Sequence, residues 1–321
     1  MELFDRDDLG SGEALFDSAA FDVTDPEAAE ALLLDSTAPP DERAPGMPSH
    51  LSPSSASTFE QCARRWKLRY VDHLPDPPGI AALAGTFAHR VLELLFQHPA
   101  GQRTRERAKA LAREVWPETE ADPHFQALGL DDKGGREFRW KGWLAIDGLW
   151  ALEDPTRIDV VATEQHVLTQ VGEVPFRGIV DRLERGPDGT LEVTDYKSGR
   201  APKARYSDDR LAQVLLYAAA VEAAMGERPS RARLLYLGQK SVDIAVTTAA
   251  VTPVVDALGA TWQRMQTACA THVFAPRTGP LCGWCPYAAR CPEGQAEIRR
   301  RVELGVLGDH APAVTQLAAA S

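Results

Sequence analysis

Gly178-Ile-Val-Asp-Arg-Leu-Glu-Arg-Gly-Pro-Asp-Gly-Thr-Leu-Glu-Val-Thr-Asp-Tyr-Lys197 sets two runs rich in Val, Ile, Leu and Thr on either side of Gly186-Pro-Asp-Gly189. That pattern predicts a β-hairpin. With a turn centred on Asp188, Asp181 and Asp195 stand opposite each other, seven residues out on either side. Side chains alternate along a strand, so Lys197 shares a face with Asp195 while Tyr196 points the other way. Two carboxylates this close repel unless a cation sits between them, and Mg²⁺ or Mn²⁺ suits an all-oxygen site. A lysine beside such a cation can hold a water or a phosphate oxygen. This is the equipment for phosphodiester hydrolysis, although an Asp-x-Lys on a hairpin is more often a solvated strand face.

The flanking chain alternates helices and strands. Before the hairpin, a strand is predicted over 158–169. The hairpin's own strands fall at 174–185 and 190–197. Glu164, on the first strand, reads most simply as a solvated or paired carboxylate. A helix over 208–225 places Gln213 and Tyr217 on one face at i and i+4, a common surface pairing. It follows a basic loop containing Arg200, Lys203 and Arg205. Strands at 231–238 and 242–247 and a helix over 250–271 complete this half. Upstream, Leu83–Phe96 is apolar around most of its circumference and must be buried between layers, where His89 reads as a core residue. Ser57 and Glu60 have capping-box spacing ahead of a helix that puts Cys62, Trp66 and Tyr70 on one stripe and Arg65 with Arg69 beside it. Two further helices are expected over 102–116 and 135–153. Trp140, Trp143 and Trp150 recur there at helical spacing, the pattern of a core.

Taken together, Gly85-Thr86-x-x-His89-x-x-Leu-Glu93, Gly178-x-Val180-Asp181-Arg182, Asp195-Tyr-Lys197-Ser-Gly199 and Gln213-x-x-x-Tyr217 resemble the PD-(D/E)XK nucleases. Within them they are most similar to the RecB/AddB exonuclease domains and the CRISPR-adaptation nucleases. The resemblance covers about residues 51–292, with gaps through 100–155. It implies an α/β fold with a restriction-endonuclease-like core, a mixed central sheet flanked by helices. It also implies that His89, Asp181 and Asp195 bind Mg²⁺ or Mn²⁺, with the Tyr196 carbonyl a further ligand, and that Lys197 handles the nucleophile. Gln213 and Tyr217 would line the site and contact the DNA strand.

The chain has five cysteines, and Cys282-x₂-Cys285-x₅-Cys291 is a metal or cluster spacing. Cys269 falls on an apolar stripe with Leu258, Trp262 and Met265, as a buried thiol does. Cys62 is left as the fourth candidate ligand. A distant N-terminal cysteine joining a C-terminal triplet resembles the iron–sulfur staple of the same nucleases. The resemblance implies a [4Fe–4S] centre on Cys62, Cys282, Cys285 and Cys291, and Cys₄ zinc is the chemical alternative.

The net charge of −11 over 321 residues is unevenly placed. Residues 1–47 carry 13 Asp and Glu against two Arg, leaving 33 acidic and 33 basic residues in 48–321. The acidic stretch buries too little to offset its ordering entropy and reads as a disordered arm, with Ala31–Leu34 a transient helix within it. The domain reading is therefore an arm over 1–47, a nuclease domain over 48–303 with a helical insertion at about 100–155, and a flexible tail over 304–321. No apolar run approaches the roughly 20 residues of a membrane span, and the first residues lack a basic and apolar leader, so a cytoplasmic location is expected. No Gly-x-x-x-x-Gly-Lys-[Ser/Thr] occurs, so the chain reads as a nuclease module without a P-loop motor of its own, for which a helicase or repair partner is one option. The reading is a metal-dependent deoxyribonuclease acting on single strands or duplex ends. The alternative is a non-catalytic DNA-binding or scaffolding protein with a structural metal site, and an electron carrier would leave the acidic constellation unexplained.

Overall fold

The computed structural model describes residues 44–201, 208–308 and 310–319. The acidic arm up to residue 43, with Ala31–Leu34, lies outside the described residues, as do Lys203 and Arg205 of the basic loop.

The described chain opens with α1 (Pro53–Gln61), capped by the Ser52 hydroxyl, which accepts from the Ser55 N–H at 3.2 Å. The cap therefore lies five residues before the expected Ser57, because Pro53 supplies a favourable first helical residue. The helix also breaks where continuity was expected. Cys62 is extended (φ −168°, ψ 111°), and a short helical turn, Ala63–Trp66, runs into a π-helical turn over Lys67–Val71. Trp66 is fully buried there, edge-on to Phe59 and stacked on Phe274, with its indole N–H on Ser55 Oγ at 2.9 Å.

Next come α2 (Ile80–Gln97), α3 (Arg105–Ala121) and α4 (Asp132–Asp147). Phe87, Val91, Leu92, Leu95 and Phe96 of α2 are all buried, each worth about 1.5–3 kcal/mol if fully removed from water. This helix lies between the sheet and a layer made by α3 and α4. Gly142 of α4 permits that contact, since a Cβ there would sit 2.6 Å from the Phe87 ring. Trp143 is in the core as its spacing predicts, but Trp140 is 51% exposed.

The sheet contains β1 (Asp159–Val171), β2 (Val174–Arg185) and β3 (Leu191–Lys197), followed by α5 (Asp208–Met225), β4 (Arg231–Tyr236) and β5 (Lys240–Ala245). Its order is β1-β2-β3-β4-β5. All neighbours are antiparallel except β3 and β4, which run parallel, so their connection must cross over the sheet, and α5 makes that crossing. The sheet is thus mixed and flanked by helices, as expected. The β2–β3 turn also matches expectation. Gly189 adopts a left-handed φ of 78°, and Asp188 Oδ1 accepts from the Thr190 N–H at 3.1 Å.

α6 (Thr248–Thr271) buries Leu258, Trp262, Met265 and Cys269 on one stripe. The cysteine-bearing loop follows, then α7 (Pro292–Glu303) and α8 (Pro312–Ala319). The stretch from 304 onward, expected as a tail, includes α8 and a small set of buried side chains. Leu307, Ala311 and Ala313 pack on Ala288 and Ile298 in a small core of their own. No described helix is long and apolar enough to cross a membrane.

Candidate active site

The β2–β3 ladder pairs Arg185 with Leu191, Glu184 with Glu192, Leu183 with Val193 and Arg182 with Thr194, and there it stops. One step further the strands part, with Asp181 facing Asp195. The Tyr196 N–H, deprived of a strand carbonyl on that side, donates to Asp181 Oδ2 at 2.7 Å. A carboxylate has taken the place of a backbone acceptor, which fixes its position. Both acids are buried, Asp181 at 9% and Asp195 at 3% exposure.

α2 delivers His89 to the same place, its Nδ1 3.5 Å from Asp181 Oδ2. The structure therefore turns this histidine toward the acids and away from an apolar core. Burial alone would lower its pKa, but the hydrogen bond and charge of Asp181 outweigh that and raise it. Lys197 Nζ forms an ion pair with Asp195 Oδ2 at 2.7 Å and donates to Gln213 Oε1 at 3.2 Å. Gln213 Nε2 in turn donates to the Tyr217 hydroxyl at 3.1 Å. Tyr217 is only 8% exposed, so the pair stands behind Lys197 as its support. Gly178 makes room for the tyrosine ring, because a Cβ would lie 2.8 Å from Tyr217 Cε1.

Sequence reasoning undervalued Glu164. The β1–β2 register sets Thr163 opposite Arg182 and Gln165 opposite Val180, which puts Glu164 across from Asp181. Its φ of 46° is left-handed, a costly conformation for a residue with a Cβ inside a strand. Donor atoms of His89, Glu164 and Asp181 all lie within 4.8 Å of one another. Burial, then the charge of Asp181, pushes the Glu164 carboxyl up to about 7, and burial then Asp181 pushes Asp195 up to about 6. Acids this reluctant to ionise mark a place that a cation would relieve. The signal that could have found Glu164 is its register opposite Asp181, which depends on the turn and the bulge between Val160 and Ala162. A cavity of about 530 Å³ opens above these groups, walled by Gly85, Thr86, Arg90, Glu93 and Ser198.

A family profile described as the PD-(D/E)XK nuclease superfamily matches residues 50–292. The chain belongs to the PD-(D/E)XK nuclease superfamily. It is similar over 156 residues, at 26% identity, to one subunit of an ATP-dependent helicase/deoxyribonuclease from Streptococcus agalactiae, a match covering 47% of this chain and 14% of that one. The subunit of the same name from Streptococcus mutans is 26% identical over 157 residues, covering 48% of this chain and again 14% of the relative. The chain thus spans about one seventh of the length of these relatives. Among solved structures, the crystal structure of SSO0001 matches at 17% identity with a TM-score of 0.30, covering 66% of this chain and 95% of that chain.

Other parts of this PD-(D/E)XK chain also carry the site. On the strands that hold the acids, Arg182 is fully buried between Glu153 and Glu184, with Arg233 bridging the same two glutamates. Arg182 also donates to the Tyr196 hydroxyl at 2.9 Å and lies over the Phe96 ring. With its charges paired across the strands, such a network holds β2 and β3 in one register.

The four expected cysteine ligands meet elsewhere. Cys62, Cys282, Cys285 and Cys291 line one pocket between the α1 end and the loop before α7. Three of the sulfurs receive a backbone N–H: Cys62 from Arg277 at 3.4 Å, Cys282 from Gly279 at 3.5 Å and Cys291 from Gly294 at 3.3 Å. Burial pushes the Cys285 and Cys291 thiols up. Cys269 stays apart, buried in its apolar stripe.

Proposed function

We propose that this nuclease hydrolyses DNA phosphodiesters with a divalent cation, acting as an exonuclease on single strands or duplex ends. The observation that carries the reading is the convergence of His89, Glu164 and Asp181 donor atoms beside the Asp195–Lys197 ion pair. Mg²⁺ or Mn²⁺ would be held by His89, Asp181 and Asp195, with Glu164 alongside and the Tyr196 carbonyl a further ligand. When bound, the cation supplies an acidified water and stabilises charge on the phosphate. Asp181 is preset by the Tyr196 N–H. Lys197, held from behind by Gln213 and Tyr217, places the attacking water and shields the developing negative charge.

Cys62, Cys282, Cys285 and Cys291 fit a [4Fe–4S] centre, since sulfur-directed N–H groups and a shared pocket suit bound thiolates. Zinc, with bonds of about 2.3 Å to sulfur, needs its ligands packed more tightly. Among the described residues, the three-donor group within 4.8 Å is His89, Glu164 and Asp181, not a cysteine triplet, which favours the cluster. The names of the relatives join helicase and deoxyribonuclease, which supports work with a helicase partner.

The deciding experiment is anaerobic purification followed by assay on end-labelled single- and double-stranded DNA with Mg²⁺ or Mn²⁺. Metal-dependent release of nucleotides is expected, abolished by chelator. Binding without cleavage in every condition would instead make the chain a DNA-binding scaffold.

A further inference from the structure

Arg65 follows Cys62 by three residues and lines the four-cysteine pocket. Its Nε is sealed from solvent and finds no hydrogen-bond acceptor among the described residues. An orphaned buried donor of this kind has lost its water without gaining an acceptor and calls for an explanation. The rest of the guanidinium is anchored from outside, its Nη2 lying 3.7 Å from Asp76 Oδ2. Asp76 is engaged more closely by Arg69, at 2.9 Å, so it does not neutralise Arg65 alone. Arg65 also acts electrostatically on the Cys285 thiol, while Arg64, tied to the Phe274 carbonyl at 3.0 Å, acts on Cys291.

Four thiolates around a dipositive centre leave a net charge of about −2, and buried negative charge needs compensation. We propose that Arg65 is a positioning residue of the cysteine centre, turning its free Nε–H and its charge to the sulfurs there. This rests on the reading of the four cysteines as a metal centre. Groups that hydrogen-bond to metal ligands commonly matter at the level of 10–100-fold in retention. A cation beside an iron–sulfur centre also favours the more negative, reduced state, and so raises the midpoint potential.

The test uses the full chain, purified and reconstituted anaerobically, as wild type and as Arg65→Gln, Arg65→Lys and Arg69→Gln. Iron, sulfide and zinc per chain are measured, then the rate of metal loss to a chelator, the midpoint potential by dye-mediated titration, and circular dichroism to confirm folding. Arg65→Gln is expected to lose metal on the order of ten-fold faster or more and to shift the potential downward. Arg65→Lys, which keeps charge but not the Nε–H, should fall between, and Arg69→Gln should match wild type. Wild-type protein holding neither iron nor zinc would defeat the metal-centre reading itself. Metal-bearing wild type with equal retention and potential in Arg65→Gln would defeat the role of Arg65 alone. Equal losses in Arg69→Gln and Arg65→Gln would overturn it as well, by tracing the effect to Asp76.

Discussion

Glu164 stands across the β1–β2 ladder from Asp181, and its left-handed backbone, at φ 46°, accompanies a carboxyl brought within reach of His89. A non-glycine residue in that conformation inside a strand carries a cost of order 1–3 kcal/mol, which the surrounding sheet must offset. The same residue sets a pH signature for the metal-free protein.

The sign follows from linkage. The Glu164 carboxyl is pushed up to about 7, whereas an ordinary glutamate titrates near about 4.3. Its neutral form is favoured by folding, so that contribution is complete below the unfolded value and is lost as pH rises through about 7. In chelator, stability measured by denaturant should fall across this window, and Glu164→Gln should flatten the slope. With Mg²⁺ present the trend should reverse, because protons and cation compete for the same oxygens. A slope unchanged by Glu164→Gln would assign the titration to other groups.

Asp195 and Lys197 are expected to be essential, since in the proposed mechanism one would bind the cation and the other would place the water. Asp195→Ala and Lys197→Ala should each lower kcat by about 10²–10³ or more, with circular dichroism unchanged. Undiminished cleavage by Asp195→Ala would end the proposed mechanism.

Gly178→Ala tests the support behind Lys197. The new methyl would press on the Tyr217 ring at 2.8 Å. Displacing that ring should disturb Gln213 and, through it, the lysine. A loss of about 1–3 kcal/mol in stability is expected from overpacking, together with a fall in kcat larger than any change in KM. Gly259→Ala on α6, where a Cβ likewise meets nothing within 4 Å, is the control. Equal kinetics in the two variants would show that Tyr217 does not steady the lysine.

Metal loss gives a fourth test. A centre on Cys62 and the 282–291 loop closes more than 200 residues, a constraint worth roughly 4–5 kcal/mol by analogy with a long disulfide loop. Anaerobic protein should be brown. Cys285→Ala should be colourless and less stable, while Cys269→Ala should keep its colour. Colourless wild type with one zinc per chain would make the site a Cys₄ zinc staple.

Much of this was legible in the residues because the decisive features are local. The Gly186–Gly189 turn fixes the hairpin register, and that register alone brings Asp181 opposite Asp195 and Lys197 onto the same face. The sheet order follows from strands separated by one long helix. His89 shows where locality fails: its helix is apolar around most of its circumference, so only the position of the parted strands tells it from a core histidine. Glu164 escaped for a related reason, since its conformation is imposed by the neighbouring strand and not by its own propensity. The break at Cys62 escaped because a run with good helical periodicity bends wherever a distant loop claims one of its side chains.

Trp66 and Phe274 lie more than 200 positions apart in sequence, yet each buries the other's ring. The Tyr287 hydroxyl likewise reaches back to the Leu74 carbonyl at 3.0 Å. During synthesis, then, the segment around Cys62 leaves the ribosome long before anything exists to cover it. The β-sheet and its helices are complete by about residue 271, but Trp66 then still lacks Phe274, and Cys62 still lacks the loop that ends at Cys291. A purified chain truncated after residue 271 should therefore show a protease-resistant sheet and a cleavable 62–76 segment, whereas the full chain should protect both.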